Sequence, residues 1–319
     1  MPEGFPSYLS VDYEDGRGQS GADYPSVDEK IAKAIEVTKT ALSQYKNPAI
    51  MWTGGKDSTL VLYFVKEVAA EFGYEMPPVV FIDHYEHFED VTAFVHRWAE
   101  NLGLELIVAR NEDFARLGAT PGDEIPVADL NEQNQRELRE RLDHTADTFV
   151  FSADSYAGNH LLKTVALNNV ITEHDIDGVF SGVRWDEQDA RKNETFFSPR
   201  HDSEKYPPHD RVHSILQFNE RALWDAFWFY LVPDLVPEYP QEGYVPQGYD
   251  DLPNGLTPED LPVGPKYFEG FRSLGTSKGS AKSEDRPAWL QDLEHTTERA
   301  GRAQDKEGLM ARLRDLGYM

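Results

Sequence analysis

Cysteine is absent from all 319 residues. That absence excludes structural disulfides, thiolate zinc sites, iron–sulfur ligation by this chain and a cysteine nucleophile. Long apolar runs are missing too, and the first residues lack a basic stretch followed by an apolar one. The expectation is therefore a cytoplasmic protein that neither crosses nor coats a membrane. Cations are scarce: 31 Lys and Arg stand against 57 Asp and Glu, a formal net charge of -26. Such a surface repels phosphate backbones, so no nucleic acid is expected as a general partner. The acids are spread along the chain rather than gathered in a tail. Together with an aromatic content high enough for a sizeable core, that spread suggests a halophilic protein, whose self-repulsion concentrated salt would screen.

What is present is an alternation of strand and helix signals. Residues 1–25, rich in Gly, Pro, Ser and acids, read as a loosely ordered lead-in. Ile31, Ala34, Ile35, Thr38 and Leu42 recur at helical spacing behind a cap at Ser26 or Asp28, and Asn47-Pro48 ends that run. "AIMW" reads as a buried strand, and "STLVLYFVKEVAAEF" as a helix apolar nearly all round. "PPVVFID", "FEDVTAFVHRWAENLG" and "LELIVARN" continue as strand, helix and strand. Short joints between such elements predict an α/β fold: a doubly wound, mostly parallel sheet with helices on both faces.

This domain spans 26–235 and carries a polar insertion at 121–148, with a solvated helix expected in "DLNEQNQRELRERLDHT". "NHLLKTVALNNVITEHD" resumes the helical pattern, and "IDGVFSGVRWDE" supplies a fourth strand ending in charges. Leu223, Trp224, Phe227, Trp228 and Leu231 share one helical face and read as core. From 236 to 319 follows an irregular Pro/Gly/Tyr-rich extension, with short helices expected at "PAWLQDLEH" and "KEGLMARLRDLG".

Between the first strand and the helix after it stands "TGGKDS", Thr53 to Ser58. A doubly wound sheet presents ligands at this end of its strands. Two glycines let the backbone approach a ligand, and the amides that open a helix favour an anion. Lys56 adds a positive charge, and Thr53 and Ser58 add hydroxyl donors. Asp57 fits beside phosphates only if it turns away or meets a cation. The spacing is neither G-x-x-x-x-G-K-[ST] nor G-x-G-x-x-G, so the hexapeptide alone leaves a plain structural turn open.

The hexapeptide resembles the S-G-G-K-D-S loop of the ATP pyrophosphatase (PP-loop) superfamily, with its adenine nucleotide alpha hydrolase-like fold. Further segments narrow the resemblance to the sulfate adenylyltransferase subunit 2 and phosphoadenosine phosphosulfate reductase branch. They are "VVFIDHYEHFEDV", "DGVFSGVRWDEQDARKNETFFSPR", "FNERALWDAF", "GFRSLGT" and "TTERAGRAQDKEGLMARLRDLGYM", and the similarity runs from about Val37 to Met319. It implies ATP and Mg2+ as ligands, cleavage between the alpha and beta phosphates, sulfate as acceptor, and a GTPase large subunit as partner.

The implied nucleotide contacts are Thr53, Gly54, Gly55, Lys56, Asp57, Ser58, Asp83 and Gly182. The implied catalytic residues are Lys56, Asp57, Arg184, Asp186, Glu187 and Arg191. Arg211, Arg272, Arg299 and Arg302 are the expected sulfate and phosphate ligands, since an acidic chain needs local positive charge wherever an anion dwells. The extension from 236 is expected to complete the site. Where the family commonly has Asp-Thr-Gly, this chain has Asp83-His84-Tyr85.

On residue chemistry alone, Arg184, Asp186, Glu187 and Arg191 leave open the plainer reading of a strand end capped by its own ion pairs. His84, His87, His201 and His209 lack metal-site spacing, so no metal centre is expected. Three alternatives stay open beside sulfate adenylation. One is a reductase-family role with a partner, since the cysteine-dependent mechanism is excluded; another is a different PP-loop reaction in sulfur transfer; the third is a catalytically idle nucleotide-binding subunit. A homodimer is left open as well.

Overall fold

The computed structural model describes residues 5–298. Its centre is a six-stranded sheet in the order β3-β2-β1-β6-β8-β7. The strands are β1 Pro48–Met51, β2 Val79–Ile82, β3 Leu106–Ala109, β6 Gly178–Phe180, β7 Phe197–Arg200 and β8 His209–Val212, with β4 Glu124–Pro126 and β5 Thr148–Val150 forming a separate antiparallel pair. All pairings within the main sheet are parallel except β7 against β8.

Alternating side chains of the central strands enter two cores. Ile50, Trp52, Val79, Phe81 and Val212 join the helices α1 Val27–Gln44, α2 Lys56–Phe72 and α3 Glu89–Asn101 on one face. Ala49, Val80, Ile82, Ala109 and Val179 meet Ala166, Leu167 and Val170 on the other. Coverage of both faces is why these strands read as continuous apolar runs. Ser26 caps α1 by a reciprocal capping box with Glu29, which settles the cap between the two candidates.

The helix expected over 159–175 begins at Tyr156 and contains a π-wound stretch, His160–Val165. The aromatic helix also changes winding, at Phe227–Leu231. Leu223, Trp224, Phe227, Trp228 and Leu231 are all core residues, as their spacing predicted.

Three expectations are corrected. Residues 5–25 are not loosely ordered: Phe5 lies on the His201 ring at 3.8 Å, and the Tyr8 and Tyr13 hydroxyls donate to Asp177 and Asp210 at 2.6 and 2.9 Å. Polar composition concealed this because the anchors are single aromatics reaching buried carboxylates. The insertion is not merely a solvated helix: Ile125, Val127, Leu130, Leu138, Leu142 and Phe149 form their own core with Phe114 and Phe151. "PAWLQDLEH" forms only a 3-10 turn at Ala288–Leu290. The helix expected at "KEGLMARLRDLG" lies outside the described residues.

Asp210, fully buried in β8, also accepts from the Tyr45 hydroxyl at 2.8 Å and contacts His201 at 2.7 Å. Tyr13→Phe removes one bond to this charged acceptor and should lower unfolding free energy by about 1.5 kcal/mol. Urea denaturation of both proteins checks this; coincident curves would mean that the lead-in does not brace β8.

Candidate active site

The Gly-Gly-Lys loop leaves β1 and opens α2 at Lys56. Gly54 adopts φ +74°, a conformation that suits glycine, and a Cβ there would lie 2.8 Å from Val95 of α3. Gly55 is the helix cap and has no side chain with which to cap the first turn. The backbone N–H of Lys56 instead donates to the Tyr267 hydroxyl at 2.8 Å, from the C-terminal extension. Ser58 turns back on the loop: its hydroxyl donates to the Gly55 carbonyl at 3.0 Å and accepts from the Thr53 N–H at 3.1 Å. Gly182, just past β6, packs so closely on α2 that a Cβ would meet backbone atoms of Asp57 and Ser58 at 2.8 Å.

A cleft of about 250 Å³ opens over this loop. Thr53, Gly55, Lys56, Asp57, Ser58, Gly182, Glu187, Arg191 and Arg211 line it, so nine of the expected residues converge. Met51, Ile82, His84, His87, Phe88 and Val91 add a largely apolar wall. Lys163 and Glu298 also line the cleft. Lys163, from the π-wound stretch, hides in sequence within an ordinary amphipathic helix.

Electrostatics concentrate on a buried knot behind the loop. Lys56 Nζ meets Glu298 at 2.5 Å, the Arg272 carbonyl at 3.0 Å and Asp57 at 3.2 Å. Arg184, fully buried, donates to Asp57, to Asp186 at 2.9 Å and to Glu298. Burial alone would lower both cations' pKa values, but the facing carboxylates, Glu298 foremost, hold them above their usual values. Burial would likewise raise the Glu298 carboxyl, and Lys56 and Arg184 outweigh it, keeping the group well below the carboxylate range.

Other expected residues take different places. Asp83 does not line the cleft; it accepts from Arg110 and from the Tyr85 N–H. Arg272 is not in the cleft either; its guanidinium pairs with buried Glu220, whose backbone N–H in turn donates to Asp186 at 3.0 Å. As a direct anion ligand Arg272 is thus corrected to a support beneath Lys56. Asp186 is likewise a support, while Glu187 pairs with Arg191. Arg299 and Arg302 lie outside the described residues.

Tyr85 occupies the position of the family's glycine with φ +65°, a conformation unusual for a bulky side chain. Its ring packs edge-on to Phe151 and its hydroxyl donates to the Asn111 carbonyl at 2.9 Å, which holds it there. His84 and His87 stack with centroids 3.7 Å apart. His201 contacts Asp210, and His209 bonds the Pro207 carbonyl. Glu86 ties three segments together: its carboxylate accepts from Ala153 N–H, and its carbonyl accepts from Ser277 N–H at 2.8 Å.

Fold, loop and buried cations define an α/β domain of the PP-loop type. The family described as Phosphoadenosine phosphosulfate reductase domain matches residues 47–229, and the chain belongs to that family. Among similar proteins is sulfate adenylyltransferase subunit 2 of Aeromonas salmonicida, 23% identical, covering 90% of this chain and 93% of its own. The protein of the same name from Methylorubrum populi is 26% identical with the same coverages. Among solved structures, FMN adenylyltransferase of Candida glabrata, in complex with FAD and inorganic pyrophosphate, superposes with a TM-score of 0.52 at 13% identity. That match covers 90% of this chain and 94% of the other, and the likeness concerns the fold alone. Among the described residues no helix is long and apolar enough to cross a membrane.

Gly182→Ala should push the start of α2 away from β6 and weaken ATP binding at least about tenfold, since the clash is with backbone rather than a flexible side chain. Calorimetric titration with ATP checks it; unchanged affinity would detach this packing from the cleft.

Burial holds His84, His87, His209 and His213 below the usual histidine value, His213 at about 4. The unfolded chain, with histidines near pKa ~6.5, therefore takes up protons first. Stability present above that pH should fall as pH drops toward about 4. Urea midpoints at pH 7, 6 and 5 in high salt test it, and a midpoint that rises on acidification contradicts it.

Proposed function

We propose that this protein transfers AMP from ATP to sulfate, releasing pyrophosphate and adenylyl sulfate. The observation that carries this is the cleft itself. In a chain of net charge -26, the opening of α2, Lys56, Arg191, Arg211 and Lys163 converge on one cavity. A protein otherwise hostile to anions has built a place for them.

The apolar wall suits a nucleobase, and the loop suits the beta and gamma phosphates. Lys163, Arg191 and Arg211 are cationic side chains on the remaining walls, where a tetrahedral oxyanion would meet them. Sulfate oxygen forms a bond to the alpha phosphorus, and the bond from that phosphorus to the bridging oxygen breaks with its electrons leaving on pyrophosphate. The protein's task is alignment and charge stabilisation, with no covalent intermediate on the enzyme.

Among the described residues no cluster of acids and histidines could cage a metal. Magnesium would arrive on the nucleotide, with Asp57 and Glu187 two of the four cleft-lining carboxylates that could take one of its positions. Bound so, it would neutralise phosphate charge.

The relatives' name, subunit 2, supports a large-subunit partner, here taken to be a GTPase because the mixed anhydride is uphill to make. A reductase role is disfavoured because this chain holds no thiol to attack the sulfonate. Sulfate-dependent exchange of labelled pyrophosphate into ATP is the direct test, run with and without candidate partners. Lys56→Ala should cut exchange about 10²- to 10³-fold while the protein stays folded by circular dichroism. Exchange that ignores sulfate, or is absent with every partner, removes this function.

A further inference from the structure

An ammonium group has three hydrogens to donate. Lys56 uses one on Glu298, one on the Arg272 carbonyl and one on Asp57. None is left for a phosphate. Two of those acceptors are fixed in place, one by the backbone and one by the first turn of α2. The third, Glu298, comes from a segment whose residues 294–297 are exposed, and which dips a single carboxylate under the surface. The Glu298 side chain is only 7% exposed, yet it borders the cleft. One of its oxygens faces Lys56 and the other faces Arg184.

An anion thus already lies between the two cations nearest the loop. Removing it into water alone would leave two buried positive charges sharing Asp57, with Asp186 beside Arg184, which is unfavourable. Exchanging it for a phosphate keeps both cations paired, and phosphate offers more charge and more acceptor oxygens than carboxylate. Residues 294–297, which lead up to Glu298, are exposed, and hydrogen bonds from Arg272 to Thr296 rather than apolar packing hold them.

We propose that Glu298 is an internal competitor for the pyrophosphate seat: its carboxylate occupies the place between Lys56 and Arg184 that the terminal phosphates of the nucleotide take, and its return helps expel pyrophosphate. This rests on the nucleotide function proposed for the cleft and adds a residue that sets the affinity of that site. In sequence, Glu298 stands in "TTERAGR" beside Arg299, and attention there falls on the scarce cations rather than on one more acid.

The experiment is calorimetric titration of the full chain with pyrophosphate, at fixed ionic strength, for the natural protein and for Glu298→Gln. Glutamine keeps the size but gives up the charge, so pyrophosphate should bind at least tenfold more tightly to the variant. In parallel, hydrogen exchange of the natural protein over residues 292–298 should speed up on adding pyrophosphate. Equal or weaker binding to the variant, or exchange that slows, overturns the proposal while leaving the cleft's function standing. Failure of both proteins to bind pyrophosphate removes the cleft's function and this proposal together. Binding to the variant alone supports both. If Glu298→Gln does not fold, the exchange measurement on the natural protein decides by itself.

Discussion

Lys56 and Arg184 are positive charges taken almost wholly out of water, at 1% and 0% side-chain exposure. A buried charge is tolerated only when partners surround it, and most of the site's construction supplies those partners. Glu298 and Asp57 face both cations, Asp186 faces Arg184, and Glu220 neutralises Arg272 so that its carbonyl can lie under Lys56. Loop, fourth parallel strand, aromatic helix and C-terminal extension therefore meet at one electrostatic centre. None of them could be shifted, with no other anion taking the vacated place, without weakening the pairing of a buried charge.

The parallel core was legible because its inner strands are covered on both faces and, with the apolar edge strand β3, announce themselves as apolar runs between amphipathic helices. β1, β2, β3 and β6 all fall within the stretches that composition marks out. β7 and β8 were not legible, since "FSPR" and "HDRV" carry charges and a proline rather than alternating apolar residues. They are strands because Asp210, His209 and Arg211 find partners inside the protein, and a one-dimensional pattern does not display partners. The π-wound stretches were invisible for a related reason: one extra residue in a helical turn leaves the periodicity almost intact.

The loop was readable from glycine and lysine placed at a strand-to-helix joint. The supporting acids were not, because 57 carboxylates give no hint which few of them are buried. Tyr267 and Glu298 enter the site from residues more than 200 positions away along the chain. Only three-dimensional closure reveals them. Tyr85 is the reverse case. Its departure from the family's glycine was visible, but not that its backbone would keep the left-handed conformation and rely on ring packing to hold it.

Pro199, on the outermost strand β7, faces solvent and stands opposite Asp210 of β8. Proline has no amide hydrogen, so this rim of the sheet offers a broken ladder to any strand that tries to add itself. The aromatic residues of the first 25 positions fasten the neighbouring strand from within. A chain whose charge already discourages self-association thus has a second, short-range safeguard at the antiparallel margin of its main sheet, and high salt that erased the first would leave the second untouched.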